Sequence, residues 1–111
     1  MTLLRDRSCV PLPEGTPKLD AAAMAAHARE VPEWKAEGDR LVRHFSFKDF
    51  THALAFVNAV GFLAEREDHH PDLTLHSWNK VSISTWTHTV HGLSDNDYVL
   101  AAQIDALLAP A

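Results

Sequence analysis

Residues 41–47 read Leu41-Val42-Arg43-His44-Phe45-Ser46-Phe47, where apolar and polar side chains come close to alternating. A period near two is the mark of a half-buried strand. Trp34 to Glu37 predicts a strand before it, joined through a turn at Gly38-Asp39. Lys80 to His88 alternates as well, with Val81, Ile83 and Thr85 opposing Ser82, Ser84 and Trp86, and Leu73 to Trp78 predicts its preceding strand. Between these two strand pairs the period changes. From Phe50 to about Asp68, Leu54, Val57, Gly61 and Ala64 recur at helical spacing, and Phe50, Phe56, Val60 and Leu63 widen the stripe. A face that broad must be buried. Asp49 is placed to cap this helix, and Pro71 ends it because the residue before a proline is pushed out of the α region.

Asp20 caps a shorter helix over Ala21 to about Arg29, rich in alanine and stopped by Val31-Pro32. After a turn at His91-Gly92, Ser94-Asp95-Asn96-Asp97 fits the Ser-x-x-Asp helix start. A last helix then runs to about Leu108, with Leu100, Ile104, Leu107 and Leu108 facing inward. The order αββαββα predicts an α+β fold: a four-stranded, mostly antiparallel sheet with three helices on one face. Residues 1–18, with Pro11, Pro13, Gly15 and Pro17 and little periodicity, predict a loosely ordered lead-in, of which about the first 15 residues are expected to be dispensable. Residues 19–111 form a single domain in this reading.

Composition narrows the function classes. With 111 residues, 46% hydrophobic and 23% charged, the chain has ordinary globular usage rather than that of a disordered one. A net charge of −5, with the ten Lys and Arg scattered, argues against direct nucleic-acid binding. No apolar run approaches the ~20 residues that span a bilayer, and the first ten residues carry no secretory apolar segment. The single cysteine, Cys9, cannot close an internal disulfide, so a cytoplasmic protein is expected. The eight histidines stand out. Histidine is the side chain suited to trading protons at neutral pH.

The densest polar cluster is Glu65-Arg66-Glu67-Asp68-His69-His70-Pro71, at the predicted end of a helix. If the helix persists, Glu65 and His69 share a face and the carboxylate can orient the imidazole. Pro71 forces His70 out of helical geometry, so both rings can face one cleft. Taken alone, such a corner fits a solvated polar surface, a proton-transfer site or a metal site. The spacings that make a metal site specific are absent: there is no His-Glu-x-x-His and no cysteine pair.

Glu65-x-x-x-His69-His70-Pro71, followed at intervals by Trp78, His88 and Asp97, resembles the signature of the pterin-4a-carbinolamine dehydratase family. Trp34, Phe47-Lys48-Asp49-Phe50, Trp78-Asn79-Lys80-Val81 and Gly92-Leu93-Ser94 extend the likeness from about Leu19 to Leu108. The resemblance implies that His69, His70 and His88 are the active-site histidines. It places Trp34, Glu65, Asp68 and Asp97 around the same pocket and gives Pro71 and the stretch Thr87, His88, Thr89, Val90 to pterin contact. It implies dehydration of a 4a-hydroxytetrahydropterin, with no metal or bound cofactor, in a homo-oligomer. His70 and His88 are expected to move protons, while His69, tied to Glu65, positions the pterin. Asp97 could instead serve only the capping box, and Trp34 and Trp78 only packing. His27, His44, His52, His76 and His91 are assigned to structure or surface. Leu73 and Trp86 depart from the family's usual residues without removing an acid or base. The alternative is a non-catalytic partner-binding or dimerisation module of the same fold.

Overall fold

The computed structural model describes residues 2–108, and its elements follow the predicted order. Helix α1 spans Ala21–Ala28, strands β1 and β2 span Lys35–Glu37 and Arg40–Ser46, and helix α2 spans Phe50–Glu67. Strands β3 and β4 span Asp72–His76 and Lys80–Thr85, and helix α3 spans Asp95–Ala106. All strand pairs are antiparallel, in the order β1-β2-β4-β3. The fold is α+β.

The caps form as the sequence suggests. Asp20 accepts the Ala23 N–H, Asp49 the His52 N–H, and Ser94 opens α3 with a capping box completed by Asp97. The Asp49 carboxyl is held below the usual range by the backbone and side chain of His52. In the β1–β2 turn Gly38 takes φ 61°, a conformation that a Cβ disfavours.

One sheet face carries Leu41, Phe45, Val81 and Ile83 into the core. Helix α2 meets them with Ala53, Phe56, Val60 and Leu63, and α3 adds Tyr98, Val99, Leu100 and Ile104. The α2 stripe is therefore rotated from the expected one: Leu54 and Phe50 are exposed, and Phe62 is 79% exposed. The apolar band was too broad for periodicity to fix its centre. Leu107 and Leu108, expected inside, lie past the end of α3 and are exposed. Residues Asn96 to Ile104 of α3 are buried on every side, polar ones included.

The lead-in is tethered rather than loose. Leu4, in a short 3-10 turn over Leu4–Asp6, is 2% exposed within the core. Gln103 donates to the Arg7 carbonyl, Arg7 pairs with Asp95, and the Cys9 N–H donates to Glu67. The segment lacks periodicity because it is anchored by backbone groups, the Arg7 side chain and Leu4, none of which leaves a repeating pattern.

Candidate active site

Helix α2 ends at Asp68, which adopts the left-handed conformation at φ 52°. The N–H groups of Asp68 and His69 close back onto the Ala64 carbonyl, a termination that satisfies the last turn and bends the chain away. The expected Glu65–His69 pairing needed an unbroken helix, and it is absent. The partners are exchanged. His70 Nε2 donates to Glu65 Oε1 at 2.8 Å, while His69 Nε2 reaches α3 and donates to Asp97 Oδ1 at 2.7 Å.

Asp97 is fully buried, and each of its oxygens accepts two hydrogen bonds. Oδ1 takes His69 and the Thr85 hydroxyl at 2.6 Å; Oδ2 takes the Thr87 hydroxyl at 2.7 Å and the Ser94 N–H at 3.0 Å. Four donors are what a buried carboxylate requires. The Ser94 bond is also half of the capping box, so this one side chain both starts α3 and orients His69.

Strand β4 stops at Thr85, short of the expected His88. A Thr87–Gly92 bridge closes the following loop, and His88–Val90 forms a 3-10 turn ended by left-handed His91. His88 is exposed, with its ring centroid 4.1 Å from that of Trp86.

These pieces converge on a cavity of about 440 Å³, within the usual range for small-molecule sites. Asp68, His69, His70, Thr87, His88 and Thr89 line it. A slightly larger hollow of about 490 Å³, between Leu3, Arg5, Glu30 and Asp105, has no histidine in its lining.

Other expected residues stand elsewhere. Asp97 and Glu65 act from behind His69 and His70 rather than from the wall, and Pro71 and Val90 are also absent from the lining. Trp34 is a correction: buried in the core, its indole N–H donates to Asp105 at 2.8 Å. Asp105 lies eight residues, or about 12 Å of helix, beyond Asp97. Trp78 sits in the left-handed β3–β4 turn, exposed. Of the cavity's remaining wall, Val10, Pro11, Leu12 and Asn96 were not anticipated, while Trp86 was expected only as a residue that could reshape the pocket or its rim. Asn96 fastens the N-terminal stretch by accepting the Val10 N–H and donating to the Val10 carbonyl. Nothing in the sequence marks that bond, whereas Trp86 was visible as a departure from the family pattern. The other five histidines do not line the cavity; His27, for example, bonds Asp95 and packs on Tyr98. Among the described residues no three His, Cys, Asp or Glu side chains gather as a metal-holding group.

A family model described as pterin 4 alpha carbinolamine dehydratase matches residues 17–107. A relative from Alkaliphilus metalliredigens, named "Putative pterin-4-alpha-carbinolamine dehydratase", is 43% identical over 95% of this chain and 96% of its own. A Chlorobium luteolum relative bearing the same name is 44% identical over 94% of each chain. Among solved structures, a transcriptional coactivator/pterin dehydratase from Brucella melitensis aligns with a TM-score of 0.76 at 28% identity, over 83% of this chain and 99% of that one. A pterin dehydratase-like RuBisCO assembly factor of the alpha-carboxysome, 24% identical over 71% of this chain and 93% of its own, shares the fold at a TM-score of 0.60.

Proposed function

The chain belongs to the pterin-4a-carbinolamine dehydratase family, and we propose that it dehydrates a 4a-hydroxytetrahydropterin by histidine acid–base catalysis. The observation that carries this reading is the meeting of His69, His70 and His88 on one cavity. In the reaction one histidine delivers a proton to the 4a-hydroxyl, which leaves as water when the C–O bond breaks. The neighbouring nitrogen lone pair forms the new C=N bond, and a second histidine removes the proton lost from the ring system. Proton balance is closed, and nothing is oxidised or reduced. General acid–base groups supply ~10²–10⁴-fold in such a step.

Geometry supports dividing the roles. His69 is 13% exposed and locked onto Asp97, so its Nε2 carries the proton and the ring cannot readily turn. That suits holding the flat heterocycle. His70 and His88 are solvent-accessible and can exchange protons with water between turnovers, so they are assigned the transfers. Self-association belongs to the same proposal, since α2 exposes Phe50, Leu54 and Phe62, and so does a cytoplasmic location, on the single cysteine.

Stopped-flow dehydration of freshly generated 4a-carbinolamine tests the reading. Acceleration proportional to added protein, unchanged by a chelator, is expected. Absence of acceleration by folded protein would favour the non-catalytic binding module.

A further inference from the structure

The sheet's second face carries no helix and is polar apart from Val42. Strand β2 presents Arg40, Val42, His44 and Ser46; β4 presents Lys80, Ser82 and Ser84; β3 presents Asp72, Thr74 and His76; β1 adds Lys35 and Glu37. Its charges are sorted by position. At one end Arg40 bonds Asp72 at 2.6 Å and Ser84 at 3.2 Å, with Glu37 in register beside Arg40. At the other end lies a concavity of about 400 Å³ whose polar lining is His44, Ser46, His76, Ser77, Lys80 and Ser82. It contains no carboxylate, in a chain whose net charge is −5. Asp72, the carboxylate on β3, is four residues from His76, about 13 Å along the strand. Lys80 has no ion-pair partner among the described residues.

Ser82 sits at the centre of this hollow. Its hydroxyl lies 2.9 Å from His44 Nδ1 and 2.9 Å from His76 Nε2, and His76 Nδ1 lies 3.0 Å from the Ser77 hydroxyl. A hydroxyl has one proton and two acceptor sites. A neutral imidazole either accepts the Ser82 proton or, in its other tautomer, donates its own N–H to Ser82 Oγ. When both rings are protonated, both donate to Ser82 Oγ, and the hydroxyl proton turns outward. Double protonation thus places two positive charges beside Lys80 and leaves the Ser82 hydroxyl only an outward-facing role as donor.

We propose that this end of the open sheet face binds a tetrahedral oxyanion of the phosphate or sulfate type, more tightly as His44 and His76 take up protons. Charge-assisted bonds from ammonium and imidazolium to such an anion are the strong class of hydrogen bond. The concavity leaves room beyond a phosphate group for the organic part of a monoester. The site shares no lining residue with the histidine cavity, so its occupancy is independent of the dehydration chemistry.

Sulfate is the probe for pH dependence, because its own charge is constant over the range. Histidine side-chain NMR signals are followed during sulfate titration at about pH 8 and about pH 6, at fixed ionic strength set with chloride; inorganic phosphate is titrated in parallel. Saturable shifts of His44 and His76, with those of His69, His70 and His88 unmoved, are expected. Sulfate affinity should rise at least about tenfold at the lower pH, the size of one charged hydrogen bond. Lys80→Ala should weaken binding at both pH values, while the paired His44→Gln and His76→Gln changes should remove the pH dependence. These side chains are at the surface, and an unchanged amide spectrum confirms the fold of each variant. Shifts that chloride reproduces, that do not saturate, or that survive Lys80→Ala undiminished would overturn the proposal.

Discussion

Two histidine–carboxylate pairs stand side by side at the end of α2, with hydrogen bonds of 2.7 and 2.8 Å. In His69–Asp97 the side chains are 13% and 0% exposed, and the carboxylate is held by three further donors from β4, the following loop and the N-cap of α3. In His70–Glu65 they are 58% and 80% exposed, and Glu65 has no other partner among the described residues. Bond length does not distinguish the pairs; surroundings do. A pair built into the core has one geometry and cannot be dismantled cheaply, whereas water competes for every member of an exposed pair. One site thus contains a fixed ring and an adaptable ring, and their neighbouring sequence positions conceal that difference.

The comparison breaks most visibly if Asp97 is removed. Asp97→Ala leaves His69, Thr85, Thr87 and the Ser94 N–H without their acceptor. Deleting one member of a buried pair costs about 3–5 kcal/mol. Denaturant unfolding should show that loss, and a value below 1 kcal/mol would mean the network is not tight.

A smaller effect is expected from the segment that covers the buried pair. Leu4→Ala should destabilise by about 2–5 kcal/mol, as leucine truncations in cores do. The same variant can be read at Cys9, whose thiol is pushed up to about 12 by burial, with the Glu67 and Asp97 charges adding to it. Because the folded thiol holds its proton more tightly than an unfolded one, this contribution to stability is present below the unfolded value near ~8.5. It is lost as pH rises toward the folded value. Alkylation of the folded protein at mildly alkaline pH should therefore be slow, and faster in Leu4→Ala. Equal rates in folded and denatured protein would show the segment to be loose after all.

Order, fold class and caps were legible because period, proline and capping residues act within a few positions of one another. The histidines were legible only through their joint spacing. What remained hidden was set over long range: the choice of Asp97 over Glu65 by His69 depends on α3 packing beside the end of α2, 28 residues on. Trp34 was misplaced for the same reason, its partner Asp105 being 71 residues away. The tether of Val10 to Asn96 spans 86 residues and involves one backbone strand and one amide, a contact with no periodic trace.

The smallest change sharpens the contrast. Glu65→Gln keeps the shape of the exposed pair and removes its charge, which is worth at most about 1 kcal/mol on a surface. Stability should be unaltered within that figure and turnover changed only a few-fold. A stability loss as large as that of Asp97→Ala would show that exposure does not separate the pairs.

The central claim, that the fixed ring holds the pterin while the adaptable one moves the proton, is tested by comparing His69→Ala with His70→Ala in stopped-flow dehydration. His70→Ala should lower kcat by ~10²–10⁴-fold with KM little changed, the pattern of a group acting in the transition state. His69→Ala should raise KM by a larger factor than it lowers kcat. Near-normal kcat in His70→Ala, together with a collapse confined to kcat in His69→Ala, would contradict the account and hand the chemistry to the buried pair.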